Sequence, residues 1–305
     1  MTIEWGNLLH HRPREIPPND LKLRGGPAGY LLLFHGLTGS PVELAYVAHH
    51  LHHRNRYTVW CPRLLNHGQP LGVLARTDAR EFLEFAETCF QIARAEARSA
   101  NLPLFVGGLS LGAVLSLLLA ADHPLDMSGT ICLAPTLFYD GWNVPWTHRL
   151  IPIVSYTPLK YFAYFREDAP YGIRDESLRA RIALQYRQVS LDEMGDISTA
   201  GYAHFPVRLF CEIRHIMSRC LRRLDRVSCP VLLVQAVNDD ITGPENSEVI
   251  YRGIRSSRKE IVLLHDSYHV VTADLEREKV AREVARFCDS CKATEIVPAI
   301  APGTP

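Results

Sequence analysis

The stretch from Leu104 to Ala121, LFVGGLSLGAVLSLLLAA, constrains the fold most, because it puts a polar Ser110 between two glycines where an apolar strand should become an apolar helix. Leu104 to Val106 have the pattern of a short buried strand, and residues 111–121 that of a helix that is apolar almost all round. The turn between them must be very tight, since side chains at positions 108 and 112 would collide with neighbouring backbone. The sequence therefore predicts a strand–turn–helix unit of the pattern G-x-S-x-G, with the Ser110 hydroxyl pushed outward.

This pattern alone leaves two interpretations open. A serine in a glycine-rich turn between a strand and a helix also occurs without any chemistry. The functional alternative is that the helix behind Ser110 aims its N–H groups and its positive end at an oxyanion formed nearby.

Length and composition exclude several classes of protein. The chain has 305 residues, 47% of them hydrophobic, which is enough for one large α/β domain or a core with an inserted piece. Its 33 basic residues balance 33 acidic ones, so the basic surface of a nucleic-acid or anionic-membrane binder is missing. The longest apolar runs fall below the ~18 residues of a spanning helix. We expect no nucleic-acid partner and no stable membrane insertion.

Cysteine usage and the N-terminal sequence indicate the compartment. The first twenty residues contain no apolar core of signal-peptide length. The eight cysteines mostly stand singly in apolar segments, such as Cys61 and Cys89, which is typical of buried thiols in a reducing compartment. Cys288-x-x-Cys291 closes a terminal helix and does not follow a strand, so we interpret its redox-motif spacing as coincidence. We expect a soluble, cytoplasmic protein.

Alternating apolar segments predict an α/β fold with a mostly parallel central sheet and helices on both faces. The predicted helices are Val42 to His53, residues 77–99, the helix after Ser110, and Glu276 to Cys288. The predicted strands, besides the one before Ser110, are Tyr30 to His35, Tyr57 to Pro62, Gly129 to Ala134, Val231 to Ala236 and Ile261 to Leu264.

The segment from Pro135 to Pro230 is too long for a simple connection. It has 96 positions, whereas a parallel crossover needs about a dozen. Helices are predicted at 177–189 and 207–226, and the first part is rich in aromatic side chains. Such a piece would lie over the site as a cap; the alternative is a helical decoration remote from it. The expected organisation is a surface extension at 1–28, a core at 29–134 and 230–291, a helical cap at 135–229 and a disordered tail at 292–305.

Candidate site residues follow the predicted core strands. The turn HGLTGSP follows the first strand, the acid pair Asp239 and Asp240 follows Val231 to Ala236, and His269 follows the last strand. Each alone has an ordinary explanation as a turn or a solvated surface group. Because the carboxyl ends of parallel strands meet at one edge of the sheet, these groups should lie together with Ser110. A serine nucleophile needs a base and an orienting carboxylate, and the order Ser110, Asp239, His269 supplies both.

From Tyr30 to Phe287 the chain resembles the α/β-hydrolases, and among them the bacterial carboxylesterase and monoacylglycerol lipase group. The segments that carry the resemblance are HGLTG, GLSLG, QAVNDDITGPENSEVIY and SYHVVTAD. It departs from that group at Leu37, where the family often has an aromatic residue, and in a longer cap.

The resemblance implies a serine hydrolase that cleaves carboxylic esters of short to medium acyl chains, monoacylglycerols among them, with no metal or organic cofactor. It assigns Ser110 as the nucleophile, His269 as the base and Asp239, rather than Asp240, as the acid. The backbone N–H groups of Leu37 and Leu111 would form the oxyanion hole.

Two alternative functions stay open from the sequence. A thioesterase acting on acyl-CoA or carrier-bound chains would use positive charge at the cap, for which the candidates are Arg166, Arg174, Arg179, Arg181 and Arg187. A non-catalytic binding module would keep the fold alone. The histidines at 49, 50, 52 and 53 are interpreted as a solvated helix end rather than a metal site, since consecutive helical residues point in different directions. The sequence leaves the oligomeric state open.

Overall fold

A computed structural model of the protein describes residues 20–188, 201–202 and 204–295. Its centre is a seven-stranded sheet made of β1 (Leu21–Pro27), β2 (Tyr30–Phe34), β3 (Tyr57–Cys61), β4 (Leu104–Leu109), β5 (Gly129–Leu133), β8 (Val231–Ala236) and β9 (Lys259–Leu264). The strands lie in the order β1-β3-β2-β4-β5-β8-β9, in which β1 is antiparallel to β3 and the other neighbours are parallel.

Helices cover both faces of the sheet, as predicted. They are α1 (Ala45–Asn55), α2 (Leu71–Leu74), α3 (Ala79–Ser99), α4 (Leu111–Asp122), α5 (Ile151–Val154), α6 (Glu176–Gln188), α7 (Val207–Leu221), α8 (Pro244–Gly253) and α9 (Arg277–Glu295). The start of α3 is fixed by a capping box, in which Asp78 and Glu81 each accept from the other's backbone N–H.

The core lies in two layers because successive strand residues point to opposite faces. On β2, Leu32 and Phe34 join the layer under α3 and α4, whereas Leu31 and Leu33 join the layer under α1 and α9. All five residues of β2 are buried, which explains why its sequence is a continuous apolar run rather than an alternating one. The end of β2 is thereby fixed from both sides.

Between the neighbouring strands β5 and β8 the chain leaves the sheet for the long insertion that the sequence predicts. The insertion contains α5, α6, α7 and a short antiparallel pair of strands, β6 (Tyr164–Arg166) and β7 (His204–Pro206). The helices predicted at 177–189 and 207–226 correspond to α6 and α7. Residue 189 lies outside the described residues, and α7 ends at Leu221, five residues before the predicted end. Helix α7 packs on the core, since its Leu209, Ile213 and Ile216 are fully buried in the layer of α3 and α4.

Two predicted boundaries need correction at their inner ends. The predicted extension 1–28 includes β1, which pairs with β3 at the edge of the sheet. The apolar alternation in LKLRGGP covers only its first four residues before two glycines, which is too short to predict a strand without the distant partner. The predicted disordered tail 292–305 is wrong for residues 292–295, because α9 continues to Glu295. The sequence there contains no proline to stop the helix before position 298. Residues 1–19 and 296–305 lie outside the described residues.

No helix in the described part of the chain has both the length and the apolar character needed to cross a membrane.

Candidate active site

Ser110 occupies a strained turn between β4 and α4. Its φ of 55° and ψ of −113° fall in a region that residues with a side chain rarely adopt. Its N–H donates to the Leu133 carbonyl at the end of β5, at 2.9 Å, which ties the turn to the sheet. The hydroxyl oxygen lies 2.9 Å from Thr136 Oγ1. The turn therefore presents Oγ at the carboxyl edge of the sheet, in the position that the sequence predicts.

The glycines on either side of Ser110 permit a direct backbone contact. A Cβ on Gly112 would lie 2.1 Å from the Phe34 carbonyl oxygen, and a Cβ on Gly108 would lie 2.3 Å from the same atom. Both distances are far below any van der Waals contact, so these positions must be glycine. The first turn of α4 consequently rests on the end of β2, where the next part of the site begins.

The loop that leaves β2, residues 35–39, is held by hydrogen bonds to its backbone. The N–H of Gly36 donates to Glu43 Oε2 at 3.0 Å, and the N–H of Thr38 donates to His67 Nε2 at 3.2 Å. Thr38 has a φ of 65°, and its carbonyl accepts from the N–H of Tyr202, in the insertion, at 3.0 Å. Leu37, the predicted oxyanion-hole residue, lies between these anchored positions and lines the cavity described below.

Buried His67 keeps this loop in place as a neutral imidazole. Its Nδ1 lies 3.1 Å from the Leu65 carbonyl, to which it donates, so Nε2 is left as the acceptor for Thr38. Burial is the main cause that lowers the pKa of His67 to about 4, which keeps the ring neutral at pH 7.

His269 and Asp239 form a buried pair. Nδ1 of His269 lies 3.0 Å from each carboxylate oxygen of Asp239, which requires Nδ1 to carry the proton and leaves Nε2 free to act as a base. Asp239 Oδ1 also accepts from the N–H groups of Ile241 and Thr242, each at 2.8 Å. The Gln235 side chain donates to Oδ2 at 3.1 Å. This set of donors fixes the carboxylate in place and aims it at the imidazole.

Asp240, the second acid of the pair, has a different environment. Its Oδ1 accepts from the backbone N–H of His269 at 3.3 Å, and its Oδ2 accepts from Gly172 N–H of the insertion at 3.1 Å. Burial is the main cause that raises the pKa of Asp240. Asp240 thus fixes the backbone on which His269 sits, whereas Asp239 binds the ring; the role of Asp239 as the acid stays a prediction.

The charge around His269 favours its protonated form. Burial is the largest single effect and lowers the pKa of His269, but the charge and hydrogen bond of Asp239, together with the charges of Asp240 and Glu43, more than offset it. The net result is a pKa above the usual value of a histidine. An imidazole of this kind accepts a proton readily and is stabilised once charged, as a general base must be.

A cavity of about 640 Å³ brings these groups together. Ser110, His269, Leu37 and Glu43 line its core side, with Asp239 behind His269 and Leu111 next to Ser110 at the start of α4. Within the described residues, Ser110 Oγ bonds to Thr136 and not to His269. Such catalytic hydrogen bonds are often long or unformed before substrate binds. The apolar wall opposite comes from the insertion and includes Tyr139, Val144, Ile151, Phe165, Phe205 and Phe210.

The sequence suggests five arginines as positive charge, and two of the four whose side chains the structure describes reach this cavity. Arg166 and Arg181 line it, beside Glu167 and Asp168. Arg174 instead donates to the His265 carbonyl at 2.7 Å. The Nη2 atom of Arg179 lies 3.7 Å from Oε1 of Glu176. The side chain of Arg187 lies outside the described residues.

Sequence reasoning missed Thr136 and Glu43, and gave no role to His67. Thr136 lies three residues beyond the end of β5, so its place near the edge of the sheet was available from the strand pattern. Glu43 has the sequence environment of an ordinary acidic residue in the first turn of a helix.

The sheet order, the serine turn at the end of its central strand and the helices on both faces define an α/β-hydrolase fold. Residues 25–276 match the family model described as serine aminopeptidase, S33, and the chain belongs to that family. As a member of it, the chain is a serine hydrolase, as predicted.

Relatives with curated names are esterases and lipases. The chain is 27% identical over 268 residues to a thermostable monoacylglycerol lipase of Bacillus sp. (strain H-257), which covers 86% of this chain and 90% of that protein. It is 22% identical over 279 residues to a carboxylesterase of Bacillus subtilis (strain 168), covering 90% and 97%. The predicted resemblance to this group is confirmed.

Solved structures confirm the predicted fold. A metagenome-derived lipolytic enzyme superposes with a TM-score of 0.71 at 25% identity, covering 90% of this chain and all of that one. A soluble variant of monoglyceride lipase from Saccharomyces cerevisiae superposes with a TM-score of 0.70 at 18% identity, covering 86% of each chain.

Proposed function

We propose that this protein hydrolyses carboxylic esters of short to medium acyl chains, monoacylglycerols among them, through an acyl-enzyme on Ser110. The observation that carries the proposal is the His269–Asp239 pair, with Nδ1 3.0 Å from both carboxylate oxygens, at the cavity that also exposes the strained Ser110. A hydroxyl, an oriented imidazole and a buried carboxylate at one cavity are the parts that acyl transfer requires.

In the proposed first half of the reaction, Ser110 Oγ turns from Thr136 toward His269 Nε2 and attacks the ester carbonyl carbon while Nε2 takes its proton. The carbonyl oxygen becomes an oxyanion that accepts from the backbone N–H groups of Leu37 and Leu111. The tetrahedral intermediate collapses, the bond to the alcohol oxygen breaks, and His269 returns the proton to that oxygen. The alcohol leaves and the acyl group stays on Ser110.

In the second half, His269 Nε2 takes a proton from water, and the water oxygen attacks the acyl carbon. Collapse of the second intermediate breaks the bond to Ser110 Oγ, which regains the proton from His269. The carboxylic acid leaves. The Asp239 carboxylate orients and stabilises the imidazolium in both halves and does not itself take the proton.

The wall of the cavity supports an apolar acyl group. Its insertion side is mainly aliphatic and aromatic, and its volume lies within the roughly 300–1,000 Å³ of small-molecule sites. We propose that residues 135–229 act as the cap predicted from the sequence, with the first part of that range forming the acyl wall together with Phe205 and Phe210, and with α7 anchoring it to the core. Acyl-chain preference would then depend on the wall.

The charge at the cavity favours an oxygen ester over a thioester carried by coenzyme A. The cations Arg166 and Arg181 are matched by Glu167 and Asp168, and Glu43 and Asp240 add two more carboxyl groups. A site for the phosphates of coenzyme A should instead carry excess positive charge. A non-catalytic binding module would have no need for a buried carboxylate that orients the His269 ring, as Asp239 does.

We propose a cytoplasmic location. All eight cysteines are buried and none forms a disulfide, which supports a reducing compartment.

The test is hydrolysis of a chain-length series of p-nitrophenyl esters from acetate to octanoate, with a monoacylglycerol, by the wild type, Ser110→Ala and the control Ser99→Ala. Ser99 is exposed on α3, where its hydroxyl bonds only within the helix. We expect turnover by the wild type and Ser99→Ala, and a loss on the order of 10⁴–10⁶-fold in Ser110→Ala. A fluorophosphonate should label Ser110 in the first two proteins.

Matched substrates separate the alternatives. An acyl-CoA run against the oxygen ester of the same chain length tests the thioesterase, and an aminoacyl p-nitroanilide tests the peptidase activity that the family description names. Folded wild type that leaves every ester in the series intact would refute the proposed function.

A further inference from the structure

Glu43 lies inside the curve of the loop that carries Leu37. Its Oε2 accepts from the Gly36 N–H at 3.0 Å. A Cβ placed on Gly39 would lie 2.1 Å from Oε1 and 2.3 Å from Oε2, so residue 39 has room for this carboxyl group only because it is a glycine. The loop therefore folds around the carboxyl group of Glu43, which touches it at both ends.

The same carboxyl group lies close to the reacting groups. A Cβ placed on Gly36 would lie 3.3 Å from Glu43 Oε2 and 3.6 Å from Ser110 Cβ, so one backbone residue separates the two side chains. Glu43 also lines the cavity with Ser110 and His269. It is thus placed behind the loop and beside the nucleophile.

This position is electrostatically unfavourable for a carboxylate with a purely structural role. The half-buried Glu43 has the Gly36 N–H as its partner, and the described residues offer it no ion pair within 4 Å. Burial raises its pKa to about 7, against the opposing effects of Gly36 and His269. An amide or a hydroxyl would make the same hydrogen bond without the desolvation penalty of a charge.

The negative charge of Glu43 favours one group in the cavity, the ring of His269. This ring lines the same cavity and must become an imidazolium when Ser110 attacks. Glu43 is among the groups that raise the pKa of His269. The other charged groups around the cavity are Asp240 from the core and Arg166, Glu167, Asp168, Arg181 and the titratable His148 from the insertion.

We propose that Glu43 is a positioning residue with two actions: its carboxyl group fixes the Gly36 backbone so that the Leu37 N–H faces the reacting carbonyl oxygen, and its negative charge stabilises protonated His269. This inference rests on the roles proposed above for Ser110 and His269. A misplaced backbone donor typically lowers the rate by ~10²-fold, whereas loss of the charge alone changes the pH profile.

The test compares Glu43→Gln, Glu43→Ala and the control Glu248→Gln, an exposed acid on α8, with p-nitrophenyl butyrate. The amide oxygen of glutamine can still accept from Gly36, so Glu43→Gln keeps the hydrogen bond and loses the charge. We expect Glu43→Ala to lower kcat by ~10–10²-fold with KM changed less than about threefold. Glu43→Gln should keep kcat at its optimum within about fivefold of the wild type.

The pH profile of kcat/KM distinguishes this role from a structural one. Its acid limb reports His269 in the free enzyme, because the base must be neutral, so activity is lost as the pH falls through the pKa of His269. Removing the negative charge should move this limb to lower pH in Glu43→Gln, and Glu248→Gln should leave it in place. An unmoved limb, equal losses of kcat in both Glu43 variants, or wild-type kcat in Glu43→Ala would overturn the proposal.

A second readout separates this inference from the proposed ester hydrolysis. Fluorophosphonate labelling of Ser110 also needs the base and places a phosphoryl oxygen at the same backbone donors. If the wild type hydrolyses no ester, the proposed function fails, and the labelling rates of the wild type and both Glu43 variants across pH still decide the role of Glu43. Thermal unfolding of each variant identifies a loss that comes from misfolding.

Discussion

The two sides of the cavity are held by different interactions. On the core side, directional hydrogen bonds join Asp239 to His269, Glu43 to Gly36 and His67 to Thr38. On the insertion side, aromatic rings pack on one another, with Phe210 lying 5.5 Å from Phe165, 5.7 Å from Tyr139 and 5.9 Å from Phe205, between ring centroids. Hydrogen bonds specify an atom's position, whereas apolar contacts specify mainly volume. The difference suggests that the rate of reaction is set on one side and the choice of substrate on the other.

The largest effect on the rate should come from substituting, one at a time, the two adjacent acids on the core side. In Asp239→Asn the carboxylate that orients and stabilises His269 is lost, and we expect kcat for p-nitrophenyl butyrate to fall on the order of 10³–10⁴-fold. Asp240→Asn should cost only about tenfold, because its side chain binds the backbone of His269 and not the ring. Near-ultraviolet circular dichroism serves as the folding control. Equal losses in the two variants would remove the distinction between them.

A medium effect should appear in acid stability through His67. With its pKa near 4 in the fold and about 6.5 when unfolded, the unfolded chain binds the additional proton between these values, so stability falls as the pH drops from 6.5 toward 4. The loss from this residue reaches roughly 3 kcal/mol. His269 has the opposite sign: its raised pKa adds stability below pH 6.5, which is lost as the pH rises through its folded value.

Urea unfolding of the wild type and His67→Gln at pH 7.5 and 4.5 measures this contribution. Glutamine can keep both hydrogen bonds without titrating, so the difference in unfolding free energy between the two pH values should be smaller in the variant. A difference as large as in the wild type would mean that His67 is not the group responsible.

The smallest effect should come from the insertion side. Phe210→Ala enlarges the wall without touching the groups that react, and we expect the ratio of kcat/KM for octanoate over butyrate to change by about two- to tenfold. Phe162→Ala is the matched control, since Phe162 lies in the same insertion but is 76% exposed. If Phe210→Ala instead slowed turnover of every chain length equally, by about a hundredfold, the division between the two sides would be contradicted.

Most of the sheet and the grouping of the site were accessible from the sequence. Strands β2, β3, β5 and β8 lie within one residue of their predicted ends, because strands buried on both faces are written as continuous apolar runs. The meeting of Asp239 with His269 follows from the rule that parallel strands end at one edge. Their catalytic roles remain predictions.

The remaining features depend on contacts that no local pattern records. Glu43 has its place because a loop curves around it, and that curve needs Gly39 as well as the position of Ser110. The wall around Phe210 joins segments far apart in the chain, and no periodic pattern in the sequence predicts that these segments meet. Strand β1 exists only through its pairing with β3 at the edge of the sheet.

Gly112 packs directly on the carbonyl group of Phe34. Because main chain touches main chain there, no rotatable group lies between the helix that starts after the attacking oxygen and the segment that bears Leu37. The helix and this segment therefore keep their relative positions when the domain fluctuates. New acyl specificities can therefore accumulate in the aromatic wall while the alignment of hydroxyl and backbone donor is inherited intact.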